Sequence, residues 1–83
     1  MMTGAEILRL MVAADGYIQV FRGPTEESIT VYQRDGTALL AGLLPRDILD
    51  DLVKQSYLKQ DGEENENYIT VFRLTTNGKK AGT

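Results

Sequence analysis

At Asp15-Gly16 the spacing of apolar residues changes, and this change constrains the fold more than any other feature of the chain. Before it, Ile7, Leu10, Met11 and Ala14 recur at i, i+3, i+4 and i+7, the pattern of a helix with one apolar stripe. After it the period is two: Ile18 and Val20 alternate with Tyr17, Gln19 and Phe21, and Ile29 and Val31 alternate with Thr30 and Tyr32. A chain carrying both periods must lay a helix on a sheet. Thr3-Gly4-Ala5-Glu6 fits a capping box, so the helix is predicted over residues 3–14, with Gly16 closing it in the left-handed conformation.

The polar loop Gly23-Pro24-Thr25-Glu26-Glu27 joins the two period-two runs as a hairpin. Asp35-Gly36 supplies a tight turn into a third short strand over residues 37–41, which Gly42 breaks. Residues 44–58 then return to helical spacing, with Pro45 suited to a first helical position. Ile48, Leu49, Leu52 and Val53 form the inward face, while Asp47, Asp50, Asp51 and Lys54 fall together on the outward face. Residues 57–60 and 68–75 read as paired strands around an acidic tip, Asp61-Gly62-Glu63-Glu64-Asn65-Glu66-Asn67. Residues 76–83 read as a polar, frayed tail.

The predicted order is helix, three-stranded meander, helix, two-stranded hairpin: an α+β chain forming a single domain over residues 1–83. Leu74-Thr75-Thr76-Asn77-Gly78 looks like the LT-x-x-G ending of many winged-helix domains. More specifically, the chain resembles the YjhX-type family of small bacterial proteins, assigned as toxins of toxin–antitoxin pairs. The matching residues are Ala5-Glu6 with Leu8 and Leu10, Gly16-Tyr17-Ile18, and Tyr32-Gln33-Arg34-Asp35-Gly36 with Leu39-Leu40. They continue with Ile48, Leu52 and Leu58, then Phe72-Arg73 with Thr75 and Gly78. The resemblance implies a winged-helix-like arrangement, with the final hairpin as the wing, and it carries no active site. Where that family is rich in lysine, in and after the second helix, this chain has Asp47, Asp50, Asp51 and the tip carboxylates.

Composition removes several function classes. With 83 residues the chain can bury one modest core, roughly 60–65% of its unfolded surface. It has no cysteine and no histidine, so disulfides, thiolate zinc sites, cysteine nucleophiles and the usual general base are excluded. Ser28 and Ser56 have no neighbour to activate them, and Gly78-Lys79-Lys80 lacks the frame of a phosphate loop. The chain therefore reads as non-catalytic and without a cofactor. Residues 61–67 lack the ligand spacing of a calcium loop, so no metal is expected. The apolar runs are too short to span a membrane and the first residues do not read as a secretory signal, so the expected location is cytoplasmic.

What remains is binding. A net charge of −3 argues against general affinity for nucleic acid. Arg46, Lys54 and Gln55 on the second helix stand among three aspartates, and the tip holds Asp61, Glu63, Glu64 and Glu66 without a base. Such a surface suits the basic groove of a protein or nucleoprotein partner, as in a small inhibitor of the anti-CRISPR or toxin-like type encoded by a mobile element. The plain alternative is a solvated face, with Asp50–Lys54 as an ordinary i,i+4 pair. Tyr17, Phe21 and Tyr32 would support partner binding or a homodimer if they line the other side of the sheet, unless the second helix or the hairpin covers them. The competing class is a winged-helix DNA-binding regulator, in which Arg9, Arg22, Arg34 and Arg73 contact phosphate.

Overall fold

The computed structural model describes residues 3–40 and 44–83. Helix α1 (Gly4–Ala14) is opened by the expected capping box: Glu6 N–H donates to Thr3 Oγ1 at 3.2 Å and Thr3 N–H donates to Glu6 Oε1 at 3.1 Å. The bond from the Thr3 N–H, with the Thr3 hydroxyl beside it, holds the Glu6 carboxyl below its ordinary range. The helix closes differently from expectation. Asp15, not Gly16, takes the left-handed conformation, with φ 50°, and its short polar side chain makes that tolerable. Glycine is required at position 16 for another reason: a Cβ there would run into the Tyr32 carbonyl.

Strands β1 (Tyr17–Arg22), β2 (Glu27–Tyr32) and β3 (Ala38–Leu40) form the expected meander. Gly36, with φ 92°, makes the second turn, where Asp35 Oδ1 accepts from Thr37 N–H at 2.9 Å. The expected end of β3 at Ala41 and the break at Gly42 lie outside the described residues. Helix α2 (Arg46–Lys54) begins one residue later than expected, with Pro45 as its N-cap. It ends through Ser56, whose φ of 65° turns the chain into β4 (Leu58–Gln60). A closed turn leads to β5 (Ile69–Leu74), with Asn65 Oδ1 accepting from the N–H groups of Asn67 and Ile69.

The pairing of β5 departs most from the sequence-based picture. The expected meander and separate hairpin are one five-stranded antiparallel sheet in the order β3-β2-β1-β5-β4. β5 pairs with β1 from Tyr17↔Arg73 to Phe21↔Ile69, so the hairpin is built into the sheet. The reason lies in Ile18 and Phe72, which face each other in this register and are both buried. Pairing here gives both backbones hydrogen-bond partners while extending a single apolar face.

The second departure is the end of the chain. Residues 76–83, expected to fray, contain helix α3 (Thr76–Ala81), whose N-cap Thr75 accepts from Gly78 N–H at 3.0 Å. Thr75 N–H also donates to the Tyr57 carbonyl at 3.0 Å, tying α3 to the α2–β4 connection. Gly78 and Gly82 let α3 sit close. A Cβ on Gly82 would lie 2.5 Å from Val12 Cγ2 and 2.9 Å from the Leu8 carbonyl oxygen, and one on Gly78 would overlap the Tyr57 carbonyl. This explains why Leu8, which falls off the predicted stripe of α1, is buried.

One core joins these parts: Ile7 and Met11 from α1, Leu49 and Leu52 from α2, and Ile18, Val20, Ile29, Val31, Leu58 and Phe72 from the sheet. Ile48 and Val53 pack at its margin. Leu49 is fully buried, so Leu49→Ala is expected to cost about 2–5 kcal/mol in urea denaturation. Gly78→Ala should cost at least about 1–3 kcal/mol, because the neighbour in its way is backbone. The exposed Asn77→Ala in the same helix should stay within about 0.5 kcal/mol, which separates a close approach from a general effect on α3.

Candidate functional site

Side chains alternate across a strand, so the register decides which residues share a face. Ile18 and Val20 of β1, Ile29 and Val31 of β2, Phe72 of β5 and Leu58 of β4 point into the core, where α1 and α2 also pack. Tyr17, Gln19, Phe21, Ser28, Thr30, Tyr32, Ile69, Val71, Arg73 and Lys59 point to the opposite face. Both α1 and α2 belong to the core side, and no described helix is laid over this outer face. Neither α2 nor the β4–β5 hairpin covers the aromatic residues: the helix is on the other side and the hairpin extends the sheet.

The outer face is organised in rows. One row crosses five strands in register: Ala38, Tyr32, Tyr17, Arg73 and Lys59. Tyr32 and Tyr17 stack with ring centroids 5.4 Å apart and planes 18° from parallel, and the Arg73 guanidinium lies 5.4 Å from the Tyr17 centroid on the adjoining strand. The next row, Thr30, Gln19 and Val71, carries shorter side chains, and a third holds Ser28, Phe21 and Ile69. Phe21 is 45% exposed. A concavity of about 550 Å³ lies beside Tyr17 and Arg73 of the tyrosine–arginine row, lined by them together with Gln19, Val71, Asp15, Arg34 and Lys79. At the other end, Phe21, Arg22 and Tyr68 line a second hollow, where the Arg22 guanidinium lies 5.6 Å from the Tyr68 centroid.

The candidate acids do not gather into one site with these rings. Asp47, Asp50 and Asp51 are exposed on α2, on the helix side of the sheet, whereas Tyr17, Phe21 and Tyr32 belong to the opposite face. Asp50 does not pair with Lys54 as expected. Arg46 Nε donates to it at 2.9 Å while Arg46 NH1 reaches Glu27 at 3.0 Å. Partial burial works against the Arg46 charge, but the hydrogen bonds to Glu27 and Asp50 outweigh it and raise its pKa. Asp51 accepts from Gln55 Nε2 at 2.7 Å.

The tip acids fold back toward the sheet. Asp61 accepts from Arg73 Nε at 2.6 Å and Glu64 accepts from Arg22 at 2.8 Å. Glu63 and Glu66 are exposed and, like Asp47, make no ion pair among the described residues. Much of the negative charge visible in the sequence is thus matched locally by arginine. Lys59, Val71 and Lys79 were not recognisable as parts of a site, because their place beside Tyr17 depends on the β1–β5 pairing and on α3.

The chemistry this face can offer is stacking, hydrogen bonding and cationic contact. Among the described residues no group of three or more Asp, Glu, His or Cys side chains could hold a metal ion, and no helix is long and apolar enough to cross a membrane. Comparison with protein-family models, curated proteins and solved structures finds no match to this chain. The resemblance to YjhX-type proteins rests on its residues alone.

The Asp61–Arg73 pair lies open to water, with both side chains 54% exposed. A double-mutant cycle on Asp61→Ala and Arg73→Ala, read by urea denaturation, is expected to give a coupling below about 1 kcal/mol. A pair this weak leaves Arg73 available to a ligand.

Proposed function

We propose that this chain is a non-catalytic binding domain and that the uncovered face of its sheet is the surface that takes the partner. One observation carries the reading. The solvated face of an antiparallel sheet ordinarily alternates to polar residues, yet here it presents Tyr17, Tyr32, Phe21, Ile69 and Val71. Apolar and aromatic surface left uncovered beside cations is a common feature of interaction sites. A protein or nucleoprotein partner fits this description.

A second reading keeps the acids as the contact: α2 would enter a basic groove of its partner, in the manner of a small inhibitor from a mobile element or a toxin-like locus. It is supported by Asp47 and Asp51, which are exposed and make no ion pair among the described residues. The winged-helix regulator reading is less well supported. The would-be reading helix α2 carries three aspartates, and the would-be wing lends its acids to Arg22 and Arg73.

Two variants separate the sheet face from α2. Phe21→Asp places a charge on the exposed part of the sheet face, while Asp47→Lys with Asp51→Lys reverses the charge of α2. Each tagged full chain, its fold checked by circular dichroism, would be recovered from the native cell and its bound protein and nucleic acid quantified. The sheet-face reading expects Phe21→Asp to lose at least about tenfold of the partner, equivalent to about 1.4 kcal/mol, with the α2 variant retaining it. The converse result would overturn that reading in favour of the acidic helix.

A further inference from the structure

We propose that the occupant of the uncovered sheet face is a single-stranded nucleic acid, its phosphates held by Lys59, Arg73, Arg34 and Lys79 and its bases stacked on Tyr32 and Phe21. This rests on the sheet face being the binding surface and goes further by naming the ligand.

The charge distribution is the first argument. The chain as a whole carries −3, but the concavity beside Tyr17 inverts that sign. Arg34, Arg73 and Lys79 line it with Lys59 next to Arg73 in the row, against Asp15 in the lining and Asp61 on Arg73. These cations have capacity to spare. Lys59 and Lys79 make no ion pair among the described residues. Arg73 gives Asp61 its Nε and keeps its terminal nitrogens. Arg34 approaches Asp15 only to 3.6 Å, with 83% of its side chain exposed. An anion entering here meets donors that need not be stripped from strong partners.

The aromatic side chains are the second argument, because they distinguish a nucleic acid from a simple anion. Both ring faces of Tyr17 are occupied, by Tyr32 and by Arg73. The far face of Tyr32 is not so covered, since its neighbour in the row is Ala38, which is too short to screen a ring. Phe21 stands exposed on the same face about 13 Å along β1, four residues at roughly 3.3 Å each. Between them the row of Thr30, Gln19 and Val71 forms a lower floor. Two stacking stations flanked by cations form the kind of platform on which single strands bind without sequence preference.

Other occupants fit less well. A duplex keeps its bases stacked on each other, so the rings could contribute only by unstacking it. A second copy packed about a two-fold axis would set the same cationic face against itself.

The test is a fluorescence-anisotropy titration of the full chain with labelled oligonucleotides of about a dozen units, as single-stranded DNA, single-stranded RNA and duplex, at low and rising salt. Single strands are expected to bind in preference to duplex, with the logarithm of affinity falling against the logarithm of salt at a slope no steeper than about −3, the limit for four neutralised phosphates. Lys79→Glu should weaken binding about tenfold and make the salt slope shallower. Phe21→Ala should weaken it by a similar factor and leave the slope unchanged, which a purely electrostatic contact would not do. Lys54→Glu makes the same charge change on α2 and should stay within about twofold, which separates a local site from net charge.

Absence of binding at low salt would overturn the proposal, as would equal affinity for duplex, an equal response to Lys54→Glu, or equally tight binding of a polyglutamate peptide. If the oligonucleotide fails while Phe21→Asp still abolishes recovery of the cellular partner, the ligand is wrong and the binding face stands. If the α2 variant alone abolishes recovery, the binding face itself is wrong.

Discussion

The antiparallel pairing of β5 with β1 is the interaction on which the rest of this structure depends. It joins strands from opposite ends of the chain, places β1 at the centre of five strands and sets Phe72 against Ile18 at the heart of the core. Without it the chain would hold a meander and a detached hairpin, each with too little apolar surface to be stable alone. With it, the buried strand residues Ile18, Val20, Ile29, Val31, Leu58 and Phe72 fall on one face, and α1 and α2 have one place to go. The close fit of α3 draws on the hairpin too: Thr75 and Gly78 reach the Tyr57 carbonyl because β5 lies beside β4, while Gly82 meets α1 at Val12 and Leu8.

The same pairing creates the surface on the other side. Tyr17 is the middle member of a row that needs both neighbours: β2 supplies Tyr32 and β5 supplies Arg73. Each contact in the row is modest, of the order of 0.5–1.5 kcal/mol for stacked rings and about 0.5–1 kcal/mol for an exposed cation over a ring. Their common register keeps the side chains upright and gives the face a fixed relief. The arginines that shape it are partly neutralised by Asp61, Glu64 and Asp15. An acidic protein can therefore display a cationic strip, because its negative charge is spread over other surfaces.

Legibility in the sequence followed the range of the interaction. The capping box of Thr3 and Glu6, the turn at Asp35-Gly36 and the apolar face of α2 were all readable, because each is specified within a few neighbouring residues. Gly16 was recognised as necessary for the wrong reason: its backbone is crowded by Tyr32, a neighbour no local pattern reveals. The polar residues 76–83 carry no apolar stripe, and what orders them is glycine-mediated contact with α1 and with the Tyr57 carbonyl. Of the candidate site, the rings Tyr17, Phe21 and Tyr32 were correctly placed together by alternation. The acids of α2 do not join them, because a shared charge in the sequence says nothing about which face of the sheet each residue lies on.

The sequence by itself determined every element but α3, their order and the apolar side of β1, β2 and α2, since periodicity and caps are local properties of the chain. Only the tertiary structure decided that the final hairpin belongs to the central sheet, that the chain ends in a packed helix and that α2 and the tyrosines lie on opposite faces. The physical reason is that strand partners and close backbone approaches are chosen by comparing burial and hydrogen bonding over the whole molecule. The change of period at Asp15-Gly16 dictates a helix packed on a sheet, and the register of Tyr17 against Arg73 dictates what the far side of that sheet presents.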